Sequence, residues 1–293
     1  MRVSIASGKG GTGKTTVAVN LALCFPGPVQ LLDCDVEEPN CAIFLKPDLV
    51  SREDAAIPVP RVDEALCTAC GECGRFCRYH AIVSFKTMPL VFPELCHGCG
   101  GCARVCPTGA ISERLRPIGV IEEGNAGGIH FTQGRLNVGE AMAVPVIRAV
   151  KKKIQAAGTV ILDCPPGTSC PVISAMRDSD YVLLVTEPTP FGLNDLRLAV
   201  ETVRALALPF GVVINRADVG DDGVRRYCGE EDIAILLEMP DDRRIAEAYS
   251  RGVPAVEALP ALRVLFQGLG ARMAAEVDAH GAVPARMESP LDA

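Results

Sequence analysis

Eight of the fourteen cysteines lie between positions 67 and 106 in two runs of identical spacing, and nothing else in the 293-residue chain restricts its fold so tightly. The runs are Cys67, Cys70, Cys73, Cys77 and Cys96, Cys99, Cys102, Cys106, each a C-x2-C-x2-C-x3-C pattern. Pro107 follows the second run, and Arg78 stands where the first would carry a proline. Three thiolates at such intervals come from one tight loop and a fourth from elsewhere, which suits a [4Fe-4S] cluster. Zinc also takes C-x2-C pairs, but two complete four-cysteine runs are less typical of it. The same apolar register follows each run, Ala81-Ile82-Val83 and Gly109-Ala110-Ile111, so the segment is an internal duplication.

The remainder reads as alternating strand and helix. An apolar strand over 3–6 runs into Gly8-Lys9-Gly10-Gly11-Thr12-Gly13-Lys14-Thr15, and helical spacing over 14–24 ends at Pro26-Gly27-Pro28. A strand follows over 29–32; after Pro47 the pattern lapses and resumes only over 139–157. Further strands are expected over 160–162, 181–185, 211–214 and 233–237, and helices over 193–206, 241–250 and 261–278. This order predicts an α/β fold, a mostly parallel sheet covered by helices on both faces. The cysteine segment is then an inserted small α+β domain over 58–118. Residues 1–57 and 119–278 form the main domain, and 279–293 a loose tail.

Composition narrows the chemistry. A hydrophobic content of 48% supplies a core, and a formal charge of −7 argues against a general nucleic-acid binder. The first strand begins at the amino terminus and no apolar stretch approaches a membrane span, so a cytoplasmic protein without integral membrane contact is expected. Cysteines in that compartment are metal ligands or free thiols. Cys24, Cys34, Cys41, Cys164, Cys170 and Cys228 fall outside the two runs.

The glycine segment satisfies G-x4-G-K-[ST] between a strand and a helix. Backbone N–H groups of Gly8, Gly10, Gly11, Thr12, Gly13 and Thr16 would cradle phosphates at the helix N-terminus, Lys14 would reach the β and γ phosphates, and Thr15 would ligate Mg²⁺. Lys9 is not required by a general phosphate loop. With it the segment resembles the deviant Walker A signature of the MinD/ParA family of ATPases. The resemblance implies an ATP-dependent homodimer in which Lys9 acts on the partner's nucleotide; a solvated lysine is the plainer reading. It also places Asp35 in switch I, positioning the attacking water, with Asp33 in the Mg²⁺ shell. Asp163, in the apolar run Val160-Ile161-Leu162-Asp163, would hold Mg²⁺ as Walker B, and Gly167 would sense the γ-phosphate in switch II. Asn215 and the loop at Pro240 resemble the family's adenine pocket, against ordinary turn chemistry for Asn215.

The insertion resembles a bacterial two-cluster ferredoxin, in which the fourth cysteine of each run ligates the other cluster. That assigns Cys67, Cys70, Cys73 and Cys106 to one cluster and Cys96, Cys99, Cys102 and Cys77 to the other. His80 and His97 flank ligands and read as ordinary histidines. As a whole the chain resembles MinD-superfamily P-loop ATPases with an inserted ferredoxin domain, including the stretch Gly134 to Glu140, expected near switch II. The resemblance implies ATP, Mg²⁺ and two clusters as cofactors. It leaves three functions open: a dimeric switch coupling ATP turnover to electron transfer or to a partner metalloprotein; an Fe–S or metallocofactor assembly ATPase; and a MinD/ParA-like positioning protein. Carriers of the second kind use a C-terminal C-x-x-C, and no such pair follows residue 170. Leu262, Leu265, Phe266, Leu269 and Met273 share a helical face with few cations, which suits docking on the sheet better than a membrane. Cys164 and Cys170 read either as small buried residues or as thiols bridging a cluster at a dimer seam. The insertion enters after Asp35 and leaves before Asp163, so its connections join elements expected to move with nucleotide.

Overall fold

The computed structural model describes residues 1–85 and 87–280. Among these, the strands in chain order are β1 (Arg2–Ala6), β2 (Val29–Asp33), β3 (Asp48–Val62), β4 (Ile82–Val83), β5 (Leu90–Val91), β6 (Ile111–Ala126), β7 (Ile129–Leu136), β8 (Thr159–Asp163), β9 (Tyr181–Thr186), β10 (Phe210–Ile214) and β11 (Ile235–Glu238). Nine of them form one sheet in the order β11-β10-β9-β1-β8-β2-β7-β6-β3. The run from β11 to β7 is parallel throughout. Only Gly127 and Gly128 join β6 to β7, a two-residue connection that makes this neighbouring pair a hairpin and hence antiparallel. The result is an α/β P-loop fold with a mostly parallel sheet and helices.

The chain divides into two compact units. One comprises Met1–Arg52, Ile121–Arg135 and Ile147–Ala293, of which 281–293, most of the expected tail, lie outside the described residues. The other comprises Glu53–Val120 and Leu136–Val146. The expected boundaries at 57/58 and 118/119 fall inside β3 and β6.

In the first unit, Val3, Ile5, Leu31, Ile161, Leu183 and Val213 of the central strands are fully buried. Val17 and Leu21 of the helix Lys14–Cys24 pack on them in one core cluster. The final helix, Ala261–His280, extends past the expected 278 and joins that cluster through Leu262, Phe266, Leu269 and Met273. It docks chiefly on the helix Lys14–Cys24 and on β11. Leu265 is the exception on the expected face, 40% exposed.

In the second unit the duplication has a backbone counterpart. Ala69 and Gly98, each two residues after the first cysteine of a run, both take positive φ, 54° and 66°. Gly71 and Gly100 do the same at 81° and 69° and precede the short helices Glu72–Phe76 and Gly101–Arg104. His80 and Gly109, three residues after the fourth cysteine of each run, complete the match at 53° and 65°. A non-glycine residue in this region costs about 1 kcal/mol or more, so Ala69 and His80 hold it because the surrounding loop demands it. After each run the apolar pair is buried, Ala81 with Ile82 and Ala110 with Ile111. Cys73, Ile82 and Ile111 form the small core, with Val62, Val91 and Ala103 packed against them.

Candidate functional site

The carboxyl ends of β1, β2 and β8 converge in the first unit, where ligands bind in open α/β sheets. Asp33 ends β2 and pairs in register with Asp163, which ends β8. The glycine loop joins β1 to the helix Lys14–Cys24, whose first turn has no side-chain cap, so its N–H groups face the loop's interior. Gly13 precedes the helix at φ 93°, and a Cβ there would stand 2.5 Å from Asn215 Nδ2. Glycine is needed there both for its backbone angle and for that close approach.

The predicted residues gather on this loop. Lys14 is buried, and its charge acts on the carboxyls of Asp35 and Asp163, holding both down against burial. Thr15 Oγ1 donates to Asp163 Oδ2 at 2.7 Å. Asp33 accepts the Cys41 N–H through Oδ2 at 2.9 Å and the Asp35 N–H through Oδ1 at 3.2 Å, fixing the segment that carries Asp35. Burial pushes the Asp33 carboxyl well up, reinforced by Asp163, and burial raises Asp163 as well. Burial also lifts Asp35 to about 6, with Lys14 pulling the other way. Two buried polar atoms in this region have no hydrogen-bond partner, Thr12 Oγ1 and Asp163 Oδ1. Leaving such atoms unsatisfied costs about 1–3 kcal/mol each, and a phosphate with its divalent cation would satisfy them. The residues therefore fit the group that the motif implies.

Sequence reasoning passed over Cys41. Its thiol is fully buried and lies 3.4 Å from Asp163 Oδ2; Asp33, Cys41 and Asp163 form a group whose ligand atoms all lie within 4.8 Å of one another. A lone cysteine eight residues past an aspartate carries no spacing signal. Glu187 was also missed as a partner of the loop. Its carboxylate lies 3.8 Å from Lys9 Nζ and 2.9 Å from Arg216 Nη1.

Gly167, at φ 98°, donates its N–H to the Ser7 carbonyl at 2.9 Å. Asn215 donates Nδ2 to the Thr12 carbonyl at 2.9 Å, tying the end of β10 to the phosphate loop. Met239 bridges the same strand end: its N–H donates to the Ile214 carbonyl and its own carbonyl accepts from the Ala217 N–H, one residue before Pro240. Cys164 is fully buried, whereas Cys170 is exposed at the start of the helix Cys170–Met176. Burial raises the Cys164 thiol to about 12.

In the second unit Cys67, Cys70, Cys73 and Cys106 line one small pocket, together with apolar and small residues such as Val62, Ala110 and Ile111. Cys106 of the second run thus shares a pocket with the first three cysteines of the first, and the Cys77 and Cys99 thiols both act to raise the Cys96 thiol, which burial raises most. Backbone N–H groups point at sulfur at matching places, Ala69 to Cys67 at 3.5 Å and Gly98 to Cys96 at 3.4 Å. The two histidines are not brought into either set: His97 stacks on Tyr79, centroids 3.5 Å apart, and His80 forms the turn after Cys77. Of the stretch Gly134 to Glu140, Gly134 and Arg135 fall in the first unit and Leu136 to Glu140 in this one, where the Arg116–Glu140 ion pair ties the segment to β6.

Residues 3–255 match the family described as the CobQ/CobB/MinD/ParA nucleotide binding domain. The chain belongs to this family. An uncharacterised protein of Methanocaldococcus jannaschii is 31% identical over 260 residues, 86% of this chain and 90% of its own length. An iron-sulfur cluster carrier protein of Pyrococcus horikoshii is 25% identical over 296 residues, 91% of this chain and 83% of its own. Among solved structures, the septum site-determining protein MinD of Pyrococcus horikoshii, complexed with Mg-ADP, covers 96% of this chain and 99% of its own. Its TM-score is 0.58 at 19% identity, a likeness of fold. Among the described residues no helix is long and apolar enough to cross a membrane.

Proposed function

We propose that this family member is an ATP-hydrolysing dimeric switch whose second unit holds two [4Fe-4S] clusters, coupling nucleotide state to electron transfer or to a partner metalloprotein. The observation that carries the reading is the grouping of Cys67, Cys70, Cys73 and Cys106 around one pocket, in a chain whose residues 3–255 match a nucleotide-binding family. Two clusters would supply one-electron redox chemistry within a single unit. ATP would lie along the glycine loop with Lys14 on its β and γ phosphates, Thr15 and Asp163 holding Mg²⁺ with Asp33 behind them, and Asp35 orienting water. Gly167 would meet the γ-phosphate by exchanging its bond to Ser7 for one to phosphate, which makes the start of switch II sensitive to nucleotide. A second reading, cluster assembly, draws on the relatives named iron-sulfur cluster carrier proteins. The absence of a C-x-x-C pair after residue 170 weighs against it.

The coupling is tested by titrating the cluster potentials with ADP bound and with a non-hydrolysable ATP analogue bound. The switch reading expects the two potentials to differ. Identical potentials together with unchanged partner binding would reduce the protein to two modules on one chain.

A smaller prediction concerns Lys9. If it serves the partner's nucleotide, its pairing with Glu187 in the same chain competes with that role. Glu187→Gln is expected to lower the ATP concentration for half-maximal dimerisation by about two- to fivefold, the range of a partly exposed ion pair. Sedimentation at graded ATP reads it out, and an unchanged midpoint would leave Lys9 as a surface lysine.

A further inference from the structure

We propose that Arg116, held by Glu140, is the charge that sets the reduction potential of the cluster bound by Cys96, Cys99, Cys102 and Cys77. The inference rests on the two-cluster reading above. Arg116 lies on β6, and its side chain and that of Glu140 are only 15% and 14% exposed. Nη1 binds Glu140 Oε1, and Nη2 binds Oε2 at 3.0 Å, the two-pronged geometry that guanidinium and carboxylate favour. Nε is buried and has no hydrogen-bond partner. Besides Glu140, the acidic groups acting on the guanidinium are Glu94 and the Cys96 thiol. The Cys96 Sγ lies 3.9 Å from the Pro58 carbonyl of β3, the sheet neighbour of β6, so a cation with an unspent N–H and the first ligand of the second set belong to adjacent strands of the same unit.

The surrounding chain is built to hold it there. The Asn137 N–H donates to the Ile118 carbonyl at 2.9 Å, pinning the segment after β7 to β6 two residues beyond Arg116. The Glu140 N–H then donates to the Asn137 carbonyl at 3.1 Å, closing a turn through Gly139 at φ 88°. This gives the stretch from Leu136 to Glu140 a purpose: it delivers one carboxylate to one guanidinium.

Among the described residues, the pocket of the first set is lined by no charged side chain. In the register set by Ala81 and Ala110, the position matching Arg116 in the first repeat is Thr87. At this matched position the two repeats differ in charge, threonine against arginine. Reduction adds a negative charge to a cluster, so a nearby cation in a poorly solvated setting favours the reduced form, and its bound carboxylate offsets part of that. The two partners should then act with opposite sign.

The test is a potential titration of the reconstituted full-length protein, followed by electron paramagnetic resonance. Arg116→Gln is expected to make reduction of the second cluster about tenfold less favourable, about 59 mV for one electron. Glu140→Gln should shift the same cluster in the opposite direction, the double variant should return towards the parent value, and Arg116→Lys should lie nearer the parent than Arg116→Gln. The first cluster should stay in place throughout. Shifts of the same sign in both single variants, a shift as large in Arg116→Lys as in Arg116→Gln, or unchanged potentials would overturn the proposal. A parent protein that binds no clusters would instead remove the two-cluster reading, so the two failures are distinct.

Discussion

Lys14→Ala is expected to lose ATP binding by at least about 100-fold, whereas Asp35→Ala should bind ATP near normally and turn it over about 100-fold more slowly. The contrast follows from where the two side chains stand. Lys14 is buried at the start of the helix Lys14–Cys24, and its charge acts on Asp35 and Asp163. Charge-assisted hydrogen bonds to phosphate contribute about 1.5–3 kcal/mol each, and this lysine would make two. Its removal also leaves two carboxylates without their cation, so both should become still harder to ionise and Mg²⁺ binding should weaken with the nucleotide. Asp35 is only half-buried and lies on the loop that Asp33 organises through two backbone N–H groups. Truncating it should leave the phosphate cradle intact and remove a water-orienting carboxylate. Fluorescent nucleotide titration and phosphate release separate the two effects. Normal turnover in both variants would sink the hydrolysis mechanism, and matching thermal midpoints would show that neither result reflects unfolding.

The site was far more legible in the sequence than the sheet that carries it. The phosphate loop, Asp33, Asp35 and Asp163 each follow a short apolar strand, and period and motif agree at every one of them. β3, β6 and β7 lay where the alternating pattern had lapsed. The first seven residues of β3 are exposed, and Pro58 and Pro60 interrupt the rest; proline and charge are what an edge strand tolerates, and they erase the apolar period. β6 likewise runs, after the buried Ile111, through Ser-Glu-Arg-Leu-Arg-Pro, mostly exposed, before its buried run at 118–122. β7 did leave a signal, since Ile129 and Phe131 alternate with His130, but nothing nearby marked it as strand. The contacts of Glu187 with Lys9 and of Arg116 with Glu140 join residues far apart in sequence. No local pattern encodes such pairs, because the fold alone brings them together.

The pairing of the two cysteine runs admits a test by combination. If Cys106 completes the set of Cys67, Cys70 and Cys73, then adding Cys106→Ala to Cys70→Ala damages a cluster that is already damaged. Adding Cys77→Ala to Cys70→Ala instead damages the second cluster as well. Cluster content by iron analysis and electron paramagnetic resonance should therefore fall by about half in Cys70→Ala and stay there in the Cys70/Cys106 double variant. It should approach zero in the Cys70/Cys77 double variant. Ligation within each run predicts the reverse, with Cys77 redundant and Cys106 additive. The geometry favours crossing, because Cys106 lines the same pocket as the first three cysteines. Crossing also has a folding consequence. The loop from Cys73 to Cys106 and the loop from Cys77 to Cys96 would each be closed by a cluster, so neither run could order its four ligands without the other. Loss of one cluster should then lower the protease resistance of the whole 53–120 segment, and a segment that stays equally resistant would argue that each run folds around its own metal.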